Sequence, residues 1–278
     1  MDDPNARTKR VAPALSRLAG GMRSPALVFG LIAPLAALAQ NPAEDYVLLG
    51  AGLRARPAYD GSDSQRGELI PVLRYYGRPW FARTTQGQLE GGARAELAPG
   101  LNLGVQLAYE GGRAANESGF LRSHDVPDID PGISFGLHAE WDRKLGPVPI
   151  TLLARVRRHA HADLGTQADL RLTAGIYGEG GVLAGVFAQA TWANAKSVQS
   201  FYGITPQQSA ATGLAVFDAG SGPLFTSIGL LWSVDLSREW LAVGSAEARK
   251  LRGDAARSPL TERTSNYYAS VGLAYRFQ

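Results

Sequence analysis

The side chains best suited to chemistry in this 278-residue sequence are four histidines and the serines and carboxylates near them. His159-Ala160-His161, with Asp163 close behind, has a spacing that can chelate a metal, because residues i and i+2 of a strand share a face. The group falls at the edge of a loop, where solvated side chains are the expectation, and no metal site is assigned. His124 lies alone in another loop. Ser134, His138, Glu140 and Asp142 share one face of a predicted strand. Ser–His–carboxylate catalysis needs those groups within hydrogen-bond reach. On an extended chain Ser134 and His138 stand roughly 13 Å apart, so they cannot meet directly, and a polar network is expected instead. An enzyme built here would need Ser and His from neighbouring strands. The sequence has no cysteine, which removes thiol nucleophiles, thiolate metal sites and disulfides. It also lacks a phosphate loop, a dinucleotide fingerprint and a metalloprotease motif. No catalytic residue and no cofactor are therefore expected.

The elements that must carry these side chains are strands. Leu101, Leu103, Val105, Leu107 and Tyr109 alternate with Asn102, Gly104, Gln106, Ala108 and Glu110. Ile133, Phe135, Leu137, Ala139 and Trp141 alternate with Ser134, Gly136, His138, Glu140 and Asp142. The same period of two recurs at 88–97, 150–157 and 169–176, and Leu224, Thr226, Ile228, Leu230, Trp232 and Val234 form another apolar face. The last strand has Tyr267, Ala269, Val271, Leu273, Tyr275 and Phe277 on one side. Apolar outside, polar or small inside and aromatic at both ends is the pattern of a strand between lipid and water. Tyr275 and Phe277 also resemble the C-terminal signal that outer-membrane barrels present to their assembly machinery; Gln278 is a one-residue departure from a final Phe.

The connections alternate in length. Tight turns are expected near Gly77-Arg78, Ala98-Pro99-Gly100, Gly146-Pro147, Glu179-Gly180-Gly181 and Ser237-Arg238, and long loops at 58–66, 112–131, 159–167, 195–222 and 252–264. Residues 79–97 read either as one strand or as two with a tight turn at Gln86-Gly87. The second reading brings both ends of the barrel to one side and meets the even-number expectation. Twelve strands follow, at 46–57, 67–77, 79–85, 87–97, 101–112, 132–144, 149–160, 168–178, 182–194, 223–235, 240–250 and 265–277. The predicted fold is all-β: a transmembrane, antiparallel, up-and-down barrel over residues 40–278. Strands 182–194 and 240–250 are the least distinct, with apolar residues on both faces.

The N-terminal region reads as an address. Residues 26–39 are uncharged and apolar but too short to span a bilayer comfortably as a helix. Arg17 and Arg23 precede them, and Ala37-Leu38-Ala39 has the form of a cleavage site. A secretory signal peptide over 1–39 is expected, with Met22 an alternative start. That segment carries five basic residues against two acidic ones, so the remainder has equal numbers of each. The basic character belongs to the signal, and no nucleic-acid partner is expected.

The loops carry a family resemblance. Tyr59-Asp60-Gly61-Ser62 follows the first strand. Phe201-Tyr202-Gly203-Ile204-Thr205-Pro206 and Asp218-Ala219-Gly220 lie in the longest loop. Gly253-Asp254-Ala255-Ala256-Arg257-Ser258-Pro259 follows the penultimate strand. In this order the segments resemble the MipA/OmpV family of outer-membrane proteins across essentially the whole mature chain. Phe201-Tyr202 stands where the family is expected to have Tyr-Phe. The resemblance implies localisation in the outer membrane of a Gram-negative cell, with outer-membrane lipid around the barrel. For one member it implies a scaffold joining a lytic murein transglycosylase to a bifunctional murein synthase; for others, roles in permeability, osmotic response or adhesion.

Charges on the predicted inner faces are numerous: Arg94, Glu96, Glu110, Glu140, Asp142, Arg155, Arg157, Asp169, Arg171 and Glu247. They can line a pore or pair across the interior and close it, and their balanced signs favour pairing. The apolar residues of the 195–222 loop are expected to pack into the barrel mouth or to form a contact surface. Three functional classes follow: a non-enzymatic scaffold or interaction protein first, a small-solute pore second, and a lipid-acting enzyme third.

Overall fold

The computed structural model describes residues 47–277. The expected signal peptide, including Ala37 and Ala39, lies outside the described residues. Twelve antiparallel strands close into a barrel. In chain order they are β1 Val47–Pro57, β2 Gln65–Tyr76, β3 Trp80–Thr85, β4 Gln88–Ala98, β5 Leu101–Glu110, β6 Gly132–Leu145, β7 Val148–His159, β8 Thr166–Glu179, β9 Val182–Ala193, β10 Gly222–Asp235, β11 Trp240–Leu251 and β12 Ser265–Phe277. Three short α-helices sit in the described loops: α1 Gly119–Ser123, α2 Ala195–Tyr202 and α3 Pro206–Thr212. Each strand pairs with its neighbours in sequence, and β1 closes the ring on β12 from Val47↔Phe277 to Ala55↔Ala269. Closure of β1 on β12 removes the two end strands that an open sheet would expose to lipid.

The alternation sorts the side chains as their polarity requires. Leu103, Val105, Leu107, Leu137, Leu170, Leu172, Ile228 and Val271 face outward and are exposed, while Gln106, Glu110, Ser134, Glu140, Arg155 and Asp169 face inward and are buried. Trp80, Trp141, Trp240 and Phe277 are exposed near the short-turn end, and Tyr109, Trp192 and Tyr267 near the other. Two aromatic girdles around an apolar band are the outer signature of a membrane barrel. Short turns mark the periplasmic end and long loops the outer end.

The two least distinct strands, now β9 and β11, are apolar inside for a packing reason. Leu241 and Val243 turn inward and pack with Leu48, Val72 and Ala274. Phe187 turns inward onto Leu231 and lies opposite Gly229. A β-carbon on Gly229 would come within 2.4 Å of the Phe187 ring, so the bare glycine makes room for the aromatic. The start of β10 departs from expectation. Leu224 was expected outside with Thr226 and Ile228, but the register slips between Pro223 and Phe225. This bulge turns Leu224 into a buried cluster with Val198, Tyr202, Phe225 and Leu251.

Candidate functional site: the lumen and its outer cap

The middle of the lumen is crossed by ion pairs. Arg83 on β3 reaches Glu90 on β4 at 2.5 Å and Glu140 on β6 at 2.9 Å. Arg155 on β7 reaches Glu90 at 3.0 Å and Asp169 on β8 at 3.1 Å. Arg157 pairs with Glu110 at 2.5 Å and with Asp169 at 3.1 Å. The pairs between β7 and β4 bridge strands that are not neighbours, so they tie the wall together through its interior. On the other flank Gln86 Nε2 donates to Glu247 Oε2 of β11 at 2.9 Å. Balanced signs and near-complete burial make this a pairing network, which outweighs the cost of placing so many charges inside only because almost every carboxylate has two partners.

The expected lumen charges divide. Arg94 joins the network through Glu140 at 3.6 Å. Arg171 stacks on the Phe187 ring at 3.7 Å, a contact favoured between a desolvated cation and an aromatic face. Asp142 accepts from Thr151 at 2.6 Å. Glu96 is a correction: it is exposed at the periplasmic rim, where it accepts from the Gly100 amide at 2.9 Å. Ser134 donates to Glu110 at 2.7 Å, while the His138 ring meets Phe81 edge-on at 5.2 Å. Serine and histidine are thus engaged separately. His159 also departs from the solvated-loop expectation: β7 ends on it, and its buried ring lies 6.2 Å from Phe201. His161 is beyond the strand end and exposed, so no shared face forms. His124 accompanies Phe120 in the 111–131 loop, ring centroids 4.4 Å apart.

The loop motifs converge on the outer mouth. Tyr59 donates to the Leu260 carbonyl at 2.8 Å, and Gly61 N–H donates to Asn266 Oδ1 at 2.8 Å, with Asn266 Nδ2 returning to Ser62 O at 3.1 Å. Asp60 pairs with Arg249 at 2.6 Å and accepts from the Tyr268 hydroxyl. Ser258 donates to Tyr202 O at 2.6 Å, and Gly220 N–H donates to Asp254 at 2.7 Å. Gly203 and Ile204 end α2, and Ile204 forms a two-way backbone bridge to Phe217. Thr205 caps α3 in a capping box with Gln208. Gly253 takes a positive φ of 51° and Pro259 follows in the same loop, while Asp218 stays exposed on the surface. Val198, Tyr202, Leu224, Phe225, Leu251 and Ala255 form one apolar cluster, and Ala58, Tyr59, Leu121, Val126, Ile204 and Leu260 form another. Four loops distant in sequence thus make one lid across the mouth. Burial works to raise the Asp60 carboxyl, but the Arg249 guanidinium and the Tyr268 hydroxyl outweigh it, and Asp60 is held below its ordinary value. Burial pushes the Tyr202 and Tyr59 hydroxyls up, so both stay protonated.

Between lid and network lies a cavity of about 500 Å³. Five arginines and four carboxylates line it. Arg54 and Arg56 pair with Glu68 at 3.3 and 2.9 Å, Arg157 with Glu110 and Asp169, and Arg249 with Asp60. Arg113, 5 % exposed, has no carboxylate within ion-pair distance among the described residues. Its Nη1 donates to Phe201 O at 2.6 Å and its Nε is buried without an acceptor. Arg54, Arg83, Arg113 and Arg249 escaped the inner-face expectations. Arg83 sits in a strand too short to show a period, and Arg113 lies outside any strand.

Closed wall, aromatic girdles and filled interior define the class: a twelve-stranded outer-membrane β-barrel. The crystal structure of the COG4313 outer membrane channel from Pseudomonas putida F1 has the same fold, with a TM-score of 0.51 at 10% identity over 88% of this chain and 100% of that one. The beta domain of the Bordetella autotransporter BrkA is also similar, with a TM-score of 0.43 at 15% identity over 84% of this chain and 99% of that one. No curated protein gives a significant sequence match. The family described as MltA-interacting protein MipA matches residues 49–277, and the chain belongs to that family.

Proposed function

We propose that the chain is a non-enzymatic interaction protein of the outer membrane, a scaffold that holds a murein transglycosylase, and a murein synthase with it, beside the cell wall. The observation that carries this reading is the closed interior. The Arg83–Glu90–Arg155–Asp169–Arg157–Glu110 network spans the lumen, and apolar residues of β1, β2, β11 and β12 fill its flank. A barrel so filled offers its surface rather than a passage. The family description, which names an interaction with MltA, supports the choice of partner. The test is retention of a purified murein transglycosylase, and separately of a murein synthase, on the immobilised barrel in detergent. Retention of the transglycosylase is expected. Its absence, with the barrel shown to be folded by its shifted mobility in unheated gels, contradicts the proposal. The small-solute pore remains as a second reading because of the 500 Å³ cavity, and it requires conductance.

A further inference from the structure

The barrel wall has a window. β2 runs twelve residues, yet β3 pairs with it only over Arg74↔Arg83, Tyr75↔Ala82 and Tyr76↔Phe81. Above that, Thr84 Oγ1 accepts from Leu73 N–H at 3.3 Å and donates to Pro71 O at 2.9 Å. From residue 70 up to residue 65, β2 has no partner strand on this side among the described residues. Pro71, which has no N–H to leave unpaired, stands where pairing stops, as prolines do on strand edges. The next strand beyond is β5, which ends at Glu110 beside Gln88, whose Nε2 donates to the Glu110 carboxylate, so above the hairpin tip the far side of the gap is the chain that leaves β5 at 111–113. The tip of the β3–β4 hairpin, Gln86-Gly87, forms the sill.

The register puts this window within the membrane-spanning band of the wall. Leu69 pairs with Leu53, and Leu53 with Val271. Val271 is midway between Tyr267 and Tyr275, the aromatics of the two girdles. Leu69 is 80 % exposed, and Leu53, Leu89 and Tyr109 around it also face outward. A turn and an unpaired edge at this depth are tolerated only where they are buried in protein or line a hydrated space. The space is present: the 500 Å³ cavity is bounded both by inner-face Arg54 and Arg157 and by outward-facing Leu69, Leu89 and Tyr109. The cavity therefore continues through the wall.

We infer that the window between β2 and the chain leaving β5 is a lateral portal, through which a single-chain amphiphile with one anionic headgroup passes from the surrounding lipid to place its head on Arg113 and leave its tail on the apolar rim. The choice follows from charge and shape. The other four cavity arginines are already paired with carboxylates, leaving Arg113 as the surplus cation, with a buried Nε lacking an acceptor. A guanidinium suits a carboxylate or a phosphate, each of which accepts several hydrogen bonds. An apolar rim open to hydrocarbon suits a tail. The lid above and the ion network below leave the wall as the route. This inference is independent of the scaffold proposal.

Native mass spectrometry of the full barrel in nanodiscs tests it with three probes: palmitate, oleoyl lysophosphatidate and uncharged hexadecanol. One molecule of an anionic probe should bind per barrel. Binding of palmitate alone makes the source a free fatty acid, and binding of lysophosphatidate alone makes it a lysolipid phosphate. Arg113→Gln should weaken binding by about tenfold or more, as loss of a charged hydrogen bond does, whereas Arg113→Lys should keep most of it. Because Arg113→Gln also removes the tie to Phe201, a photoreactive palmitate on the unaltered protein supplies a second readout. Its labels should fall on residues 65–71 and 109–113. Failure of both anionic probes to bind, equal binding of hexadecanol, or labels spread evenly around the barrel overturns the inference.

Discussion

Asp60 shows how one carboxylate couples the lid to the barrel. It sits in the turn after β1, reaches Arg249 of β11 at 2.6 Å and accepts from Tyr268 of β12. Its folded-state value lies below the ordinary 3.8, so its stabilising effect is complete above that value and fades as pH falls through the lowered one. Resistance to urea in lipid vesicles should therefore drop below about pH 4. Asp60→Asn should be less stable at neutral pH and show a smaller drop on acidification; an equal drop in both contradicts this role. Arg155 is the corresponding residue within the wall. Arg155→Ala leaves Glu90 and Asp169 each short of one buried partner and should cost about 3–5 kcal/mol in the same unfolding assay. A loss under about 1 kcal/mol, typical of exposed pairs, would mean that the lumen is wet. Much of this network was legible in sequence. Glu110, Glu140, Arg155, Arg157 and Asp169 each alternate with leucines, valines or alanines that face lipid. Asp60 and Tyr59 were legible as a turn motif only. The Tyr59 hydrogen bond to Leu260 spans 201 residues, and no local pattern encodes a partner so distant.

At the level of elements, the decisive feature is the short β3–β4 hairpin. Gln86 and Gly87 have φ of 51° and 79°, the paired positive values of a tight hairpin turn that favours Asn, Asp and Gly. A β-carbon at Gly87 would also approach Arg54 Nη1 to 2.4 Å. Gly87→Val should destabilise the barrel by about 1–3 kcal/mol through backbone strain, read from the vesicle unfolding midpoint; an unchanged midpoint would show the tip to be unconstrained. The two-strand reading of residues 79–97 rested on that turn and on even parity, and both were available in sequence. The bulge before Phe225 was not. Leu224 continues the apolar period, and only the cluster around α2 and Leu251 makes its inward turn favourable. The inner faces of β9 and β11 were ambiguous for a related reason. Their apolar residues fill the lumen, so hydrophobicity ceases to distinguish inside from outside there. The window was equally invisible, because it arises from unequal lengths of neighbouring strands rather than from any motif.

The whole molecule is a closed ring of strands, notched above the β3–β4 hairpin, solvated by hydrocarbon outside and filled by paired charge inside. A twelve-stranded barrel is wide enough that filling requires a dedicated layer of side chains. The Arg83 to Glu110 network and the Leu48–Leu241 cluster provide it, and the loop lid covers the mouth. Barrel architecture and placement in the outer membrane follow from this wall, and the family from the match over residues 49–277. The proposed work as an interaction protein rests on the filling. Planar-bilayer recording of the purified chain tests the filling most directly. The unaltered barrel should give no stable ohmic steps, and an Arg83→Ala, Arg155→Ala pair should introduce them. Regular, long-lived openings of the unaltered barrel, unchanged by that pair, would show that ions pass where the lumen is held to be closed.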